Sequence, residues 1–259
     1  QESIDYCKKI LNHNNDSLPV LKLVARSLLA INKVKDAKEY LNRCLIIKSD
    51  DYEVIKDLGN LYLKTGDSNK AKEYYQKAIL IKKDYAPALT NLGMIEIVKG
   101  NKKEAIGLLI KATECDPSLA PAWANLAHAY NLLNNFSSSE ISICKAIKLI
   151  PNEDNYSLFL SRILIKRNKI NEASLILIKI LKRNPDFFDG YLMLGELYYK
   201  LGNLKESEVS LRKAIELQPE SASAHLNHGT ILKELGKIKE AEISIRKSIE
   251  LQPNSAEAH

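Results

Sequence analysis

Residues 52–85 read YEVIKDLGNLYLKTGDSNKAKEYYQKAILIKKDY, and the rest of the chain can be indexed from this stretch. Ile55, Leu58, Gly59 and Tyr62 follow the i, i+3, i+4, i+7 spacing of one face of an α-helix. Gly66 ends that helix, because a residue without a side chain enters the left-handed conformation of a helix C-terminus freely. Asp67 and Ser68 are placed to cap a second helix, whose inward stripe is Ala71, Tyr75 and Ala78.

The same slots return every 34 residues. The Gly59 slot reads Ala25, Gly59, Gly93, Ala127, Ser161, Gly195 and Gly229. Twelve positions on stand Ala37, Ala71, Ala105, Ser139, Ala173, Ser207 and Ala241. A third slot reads Cys44, Ala78, Ala112, Ala146, Ile180, Ala214 and Ser248, and Ile180 is its one large departure. The turn slot holds only Asn32, Gly66, Gly100, Asn134, Asn168, Gly202 and Gly236, the residue types that tolerate a left-handed backbone. Prolines keep the phase. Pro117, Pro151, Pro185, Pro219 and Pro253 follow the second helix, where a stop is wanted, and Pro19, Pro87 and Pro121 open the next first helix.

A sustained period of this length means one supersecondary unit stacked on itself. The predicted fold is an all-α, right-handed superhelical α-solenoid of antiparallel helix pairs. Residues 1–17 read as the second helix of a truncated repeat, 18–255 as seven tandem units, and 256–259 as the start of another.

These residues resemble the tetratricopeptide repeat (TPR), whose pattern runs aromatic, Leu-Gly, Tyr, Ala, aromatic, Ala, Pro. Trp123, Leu126, Ala127, Tyr130, Ala146 and Pro151 fill those places in one unit, and Tyr191, Leu194, Gly195, Tyr198, Ala214 and Pro219 in another. The resemblance covers practically the whole chain. It implies a concave groove lined by first helices, where the family binds peptides or partner helices.

Composition bounds the partners. Charged residues are 27% and the net charge is +6, with acids and bases interleaved, so nucleic acid is not indicated. The densest apolar run, residues 175–181, is interrupted by Lys179 and is too short to span a membrane. Cys7, Cys44, Cys115 and Cys144 form no metal-like pair; Cys7 and Cys44 fall on packing slots and read as small apolar filler, which fits a reducing cytoplasm. His225 and His228 are three apart on one helix face, but His225 occupies the slot of Trp123 and Tyr191, which makes it a packing choice rather than a metal ligand. No nucleophile, base and orienting group escape the repeat pattern, so neither catalysis nor a cofactor is expected.

The places that the resemblance assigns to the groove divide into two zones. The first is polar and basic: Lys22, Arg26, Lys56, Asn60, Asn91, Asn125 and His128. Asparagine both donates and accepts, so a row of them suits an extended peptide backbone, and flanking lysines favour acidic ligands. Lys56, Asn60 and Asn91 match the start of the carboxylate clamp of some TPR proteins, but Pro121 and Asn125 stand where that clamp continues with Lys and Arg. Asn91, Asn125 and Asn227 resemble the asparagine ladder of O-GlcNAc transferase, broken here by Leu23, Asp57, Phe159 and Met193. Asparagine is equally an ordinary choice at these places.

The second zone is apolar: Leu158, Phe159, Leu192, Met193 and Tyr199, edged by Arg162, Lys166, Asp189 and Glu196. It reads either as an anchor for an apolar or helical ligand, or as side chains packing between adjacent units. The function expected is a non-catalytic scaffold binding a peptide or partner protein. The alternative is a substrate-recognition arm of a larger enzyme, such as a transferase. Apolar end faces around Ile4, Ile10, Ile238, Ile245 and Ile249 add an expectation of end-to-end self-association.

Overall fold

The computed structural model describes residues 16–253. Among them are fourteen α-helices and no strand. The chain falls into two compact units, Gln1–Leu149 and Ile150–His259. The first holds four antiparallel pairs: α1 (Leu18–Ala30) with α2 (Val34–Ile47), α3 (Tyr52–Lys64) with α4 (Ser68–Ile81), α5 (Ala86–Val98) with α6 (Lys102–Cys115), and α7 (Ala120–Leu132) with α8 (Phe136–Leu149). The second holds three: α9 (Asp154–Lys166) with α10 (Ile170–Arg183), α11 (Phe188–Lys200) with α12 (Leu204–Leu217), and α13 (Ala222–Glu234) with α14 (Ile238–Leu251). The proposed helix before residue 18 and the repeat beginning at 256 lie outside the described residues.

Each turn inside a pair is built alike. Asn32, Gly66, Gly100, Asn134, Asn168, Gly202 and Gly236 all have positive φ. The residue after each sends its N–H back five residues, as Asp67 does to the Tyr62 carbonyl at 2.9 Å and Asn203 to that of Tyr198 at 2.9 Å. This double-bonded helix stop satisfies carbonyls that the helix end would orphan. Asp67 then accepts from the Lys70 N–H at 3.0 Å and caps the second helix, and Asp51 caps α3 through the Glu53 and Val54 N–H groups.

The small slots are where paired helices touch. Ala25, Ala37, Leu41 and Cys44 are buried together in one cluster of the first unit, and Ala173, Leu177 and Ile180 in the main cluster of the second. At two of the serine positions the hydroxyl finds a partner across the pair: Ser139 donates to the Ala127 carbonyl and Ser207 to that of Gly195, both at 2.7 Å. These serines therefore carry no unsatisfied burial.

Gly59 shows how tight the slot is. A Cβ built there would stand 2.5 Å from the Tyr75 ring. Gly59→Ala is therefore expected to destabilise the protein by about 1–3 kcal/mol through overpacking, despite a gain of about 1 kcal/mol in helix propensity. Urea denaturation checks this, and a variant as stable as the parent would show that the Tyr75 ring yields at no cost.

Candidate functional site

The basic residues of the first unit are not free charges. Lys22 Nζ lies 2.7 Å from Asp51 Oδ2 and 3.3 Å from Glu53 Oε2. Arg26 reaches Asp57 through Nε at 2.7 Å and Glu53 through Nη2 at 3.2 Å, and Lys56 pairs with Asp57 as well. Three cations thus meet three carboxylates, of which Asp51 and Asp57 are buried. Burial disfavours the charged form of Lys22 and Asp51. Their mutual hydrogen bond and charge outweigh it, holding the ammonium above and the carboxyl below its ordinary range. Glu53 is held low in the same way, against burial, by Lys22 and Arg26. The zone read from sequence as basic is compensated from within.

Asn60 and Asn91 are tied together. Asn60 Oδ1 accepts from both the Tyr75 hydroxyl and Asn91 Nδ2, each at 2.8 Å. A cleft of about 390 Å³ opens beside them, lined by Arg26, Lys56, Asp57, Asn60 and Lys64 among others. Asn125 and His128 are half-buried on α7, and burial lowers the His128 pKa.

In the second unit the apolar residues part company. Leu158 and Met193 are buried in the core cluster with Leu177, Ile180 and Leu194. Phe159 and Leu192 are half-buried, Arg162 is exposed, and Tyr199 is 41% exposed. Asn227 Nδ2 donates to Glu196 Oε1 at 2.9 Å, joining α13 to α11. Between these helices lies a cleft of about 170 Å³ whose floor is Gly195, Leu211 and Ile231 and whose rim is Glu196, Tyr199, Lys200, Asn227 and Thr230. Its depth depends on Gly195, where a Cβ would fall 2.6 Å from Leu211 Cγ. Lys200 and Thr230 were not singled out from sequence. Their signal is the positional one, a turn away from Glu196 and Asn227 on the same two helices.

The histidines follow the repeat. His225 Nε2 bonds the Pro219 carbonyl at 2.8 Å, as Trp123 Nε1 donates to that of Pro117 at 2.9 Å. His228 Nδ1 lies 3.0 Å from Ser244 Oγ, and its Nε2 is 3.7 Å from Glu208. Burial leads its balance and keeps the His228 pKa low, although Glu208 pulls the other way. Among the described residues no three of His, Cys, Asp and Glu are grouped to hold a metal ion. None of the described helices is long and apolar enough to cross a membrane.

Helix pairs on a 34-residue period, with small residues at the contacts and left-handed turns between, define a tetratricopeptide repeat protein. Within that class, the chain belongs to the family described as the cilia and flagella-associated protein 70 C-terminal domain, whose model matches residues 11–259. No curated protein matches it. Among solved structures it is similar to the anaphase-promoting-complex heterotetramer Cut9–Hcn1, with a TM-score of 0.75 and 17% identity over 98% of this chain and 50% of that one. It is also similar to YrrB, with a TM-score of 0.57 and 21% identity over 72% of this chain and 96% of that one. A third likeness is MamA from Desulfovibrio magneticus RS-1, with a TM-score of 0.59 and 21% identity over 66% and 97% of the two chains. At these identities the likeness carries the fold alone.

Proposed function

We propose that the chain is a non-catalytic interaction scaffold that holds an extended or helical segment of a partner protein against its first helices. The observation that carries this is the cleft between α11 and α13, where an apolar floor meets a rim of Tyr199, Lys200, Asn227 and Thr230. Such a combination suits a ligand that buries one apolar side chain and offers backbone groups to the rim. Phe159 and Leu192, half-buried on α9 and α11, extend the apolar contribution. In the first unit Asn60, Asn91 and Asn125 supply polar contacts. The compensated cations Lys22, Arg26 and Lys56 contribute shape more than attraction. YrrB is described as a TPR protein with an unusual peptide-binding site, which makes peptide binding a use this fold supports.

A reducing, cytoplasmic setting belongs to the same proposal. Cys44, Cys115 and Cys144 are free thiols, and burial pushes Cys44 up to about 11, where it is an inert packing group.

The test is a peptide-display selection on the whole chain, followed by titration of the recovered peptides. Tyr199→Ala should weaken binding by about ten-fold, roughly 1–2 kcal/mol for an exposed aromatic anchor, with the unfolding midpoint unchanged. Recovered peptides that bind Tyr199→Ala as tightly as the parent would place the ligand elsewhere and reject the cleft.

A further inference from the structure

In the second unit α10, α12 and α14 bury Ala173 and Leu177, Ser207 and Leu211, and Ala241 and Ser244 toward the first helices. Their opposite faces carry Leu175, Val209 and Ile243, which are 67%, 54% and 69% exposed. These three are one slot of the repeat. The earlier repeats fill it with Glu39, Glu73, Gly107 and Ile141, and the two glutamates show that a solvated helix at this register needs no apolar residue. Single exposed apolar residues need no explanation, but three at one register on successive helices of a unit do.

The charges beside the slot repeat as strictly. Three residues before it stand Glu172, Glu206 and Glu240, and four residues after it Lys179, Lys213 and Lys247. At 1.5 Å rise per residue these sit about 4.5 Å and about 6 Å to either side along the helix, on one flank of it. Each outer helix therefore reads acid, apolar, base from its N-terminus. Among the described residues Lys213 and Lys247 pair with exposed neighbours, Glu216 and Glu250, each at 3.0 Å. Exposed pairs of this kind are weak and exchange readily.

We infer that this face is self-complementary and docks a second copy of the chain, with α12 antiparallel to its own equivalent across a two-fold axis. The charge order decides both the occupant and its orientation. A two-fold axis through Val209, in the plane of contact and across the helix, brings Lys213 of the second copy against Glu206 and Glu206 of the second copy against Lys213. The same rotation sets Leu175 and Ile243 opposite their own equivalents and repeats the charge match on α10 and α14. Laying the two helices parallel would set acid against acid. A closed two-fold contact of this kind stops at a dimer. Three apolar side chains per copy are fewer than a standard interface of about 800 Å² per partner would bury, so the dimer is weak.

Sedimentation equilibrium of the 259-residue chain, from micromolar to near-millimolar concentration, tests this surface separately from the cleft. A monomer–dimer equilibrium is expected. The triple variant Leu175→Glu, Val209→Glu, Ile243→Glu, which installs the side chain found at Glu39 and Glu73, should be monomeric throughout with unchanged helicity. Glu206→Lys and Lys213→Glu should each weaken the dimer several-fold. The two together should restore it, because the facing pair on α12 then exchanges sign in both copies. A parent chain that stays monomeric would overturn the inference, as would a double reversal weaker than either single. So would association that survives the triple variant but is lost in Ile238→Glu, which would place the contact at the end of the array.

Discussion

Tyr75→Ala is expected to cost about 3–5 kcal/mol of stability, as removal of a buried aromatic side chain does. Tyr75 is fully buried, clustered with Ala71, Leu92 and Ile95, and its ring lies where a Gly59 Cβ would be. Truncation removes the ring that Gly59 packs against and opens a cavity between the paired helices. The hydroxyl is a separate and smaller matter. Burial pushes the phenol up to about 12, so it remains a donor at neutral pH, and it donates to Asn60 Oδ1. Tyr75→Phe should therefore cost about 1 kcal/mol, the net worth of one hydrogen bond, since the half-buried Asn60 Oδ1 still accepts from Asn91. It should also loosen Asn60 and, through it, Asn91. Urea denaturation measures both losses. Because each repeat couples mainly to its neighbours, the Ala variant should show a broadened or stepwise transition. A loss below about 1 kcal/mol for Tyr75→Ala would mean that the repeat collapses around the missing ring.

Most of this architecture is legible in the sequence because it repeats. A left-handed backbone admits few residue types, and a helix contact at backbone distance admits few sizes. Seven samples of each slot make those limits visible. The turn residues Asn32 to Gly236 and the contact residues Ala25 to Gly229 are cases in point. What escaped was what each repeat does differently. The partners of Lys22 and Arg26 lie 27 to 31 residues away, and whether long side chains meet depends on rotamers that periodicity does not encode. Leu158 and Met193 occupy places that the TPR resemblance assigns to the groove, yet they are buried. Their slots alone do not separate groove from core, since neighbouring side chains decide it. One signal was available and unused. The slot of Leu28, Tyr62, Tyr130, Leu164, Tyr198 and Leu232 holds Glu96 in the third pair, and a carboxylate in a packing slot demands a cation nearby.

That cation is Lys72. Glu96 is 0% exposed and accepts from Lys72 Nζ at 2.7 Å and from Asn101 Nδ2 at 2.6 Å. Burial alone would raise its pKa. The Asn101 and Lys72 hydrogen bonds and the Lys72 charge outweigh it and hold the carboxyl below its ordinary value of 4.5. Glu96 therefore adds stability that is complete above about pH 4.5 and is lost as pH falls through its lower folded value. Lys72→Met keeps the aliphatic stem and removes the charge, leaving a buried carboxylate with Asn101 alone. The expected loss at neutral pH is about 3 kcal/mol, at the low end for breaking a buried pair because one donor remains. Burial then dominates, and the folded pKa of Glu96 should rise above its ordinary value. The variant should accordingly recover stability relative to the parent as pH is lowered from 7 toward 4, because its carboxyl can take up a proton. Adding Glu96→Leu, the residue of the equivalent slots at Leu28, Leu164 and Leu232, should regain most of the loss by replacing the pair with packed hydrocarbon. Thermal unfolding of the three variants across that pH range separates this account from a purely steric one. A pH-independent deficit in Lys72→Met would mean that Lys72 matters for its stem and that the buried charge finds its compensation elsewhere.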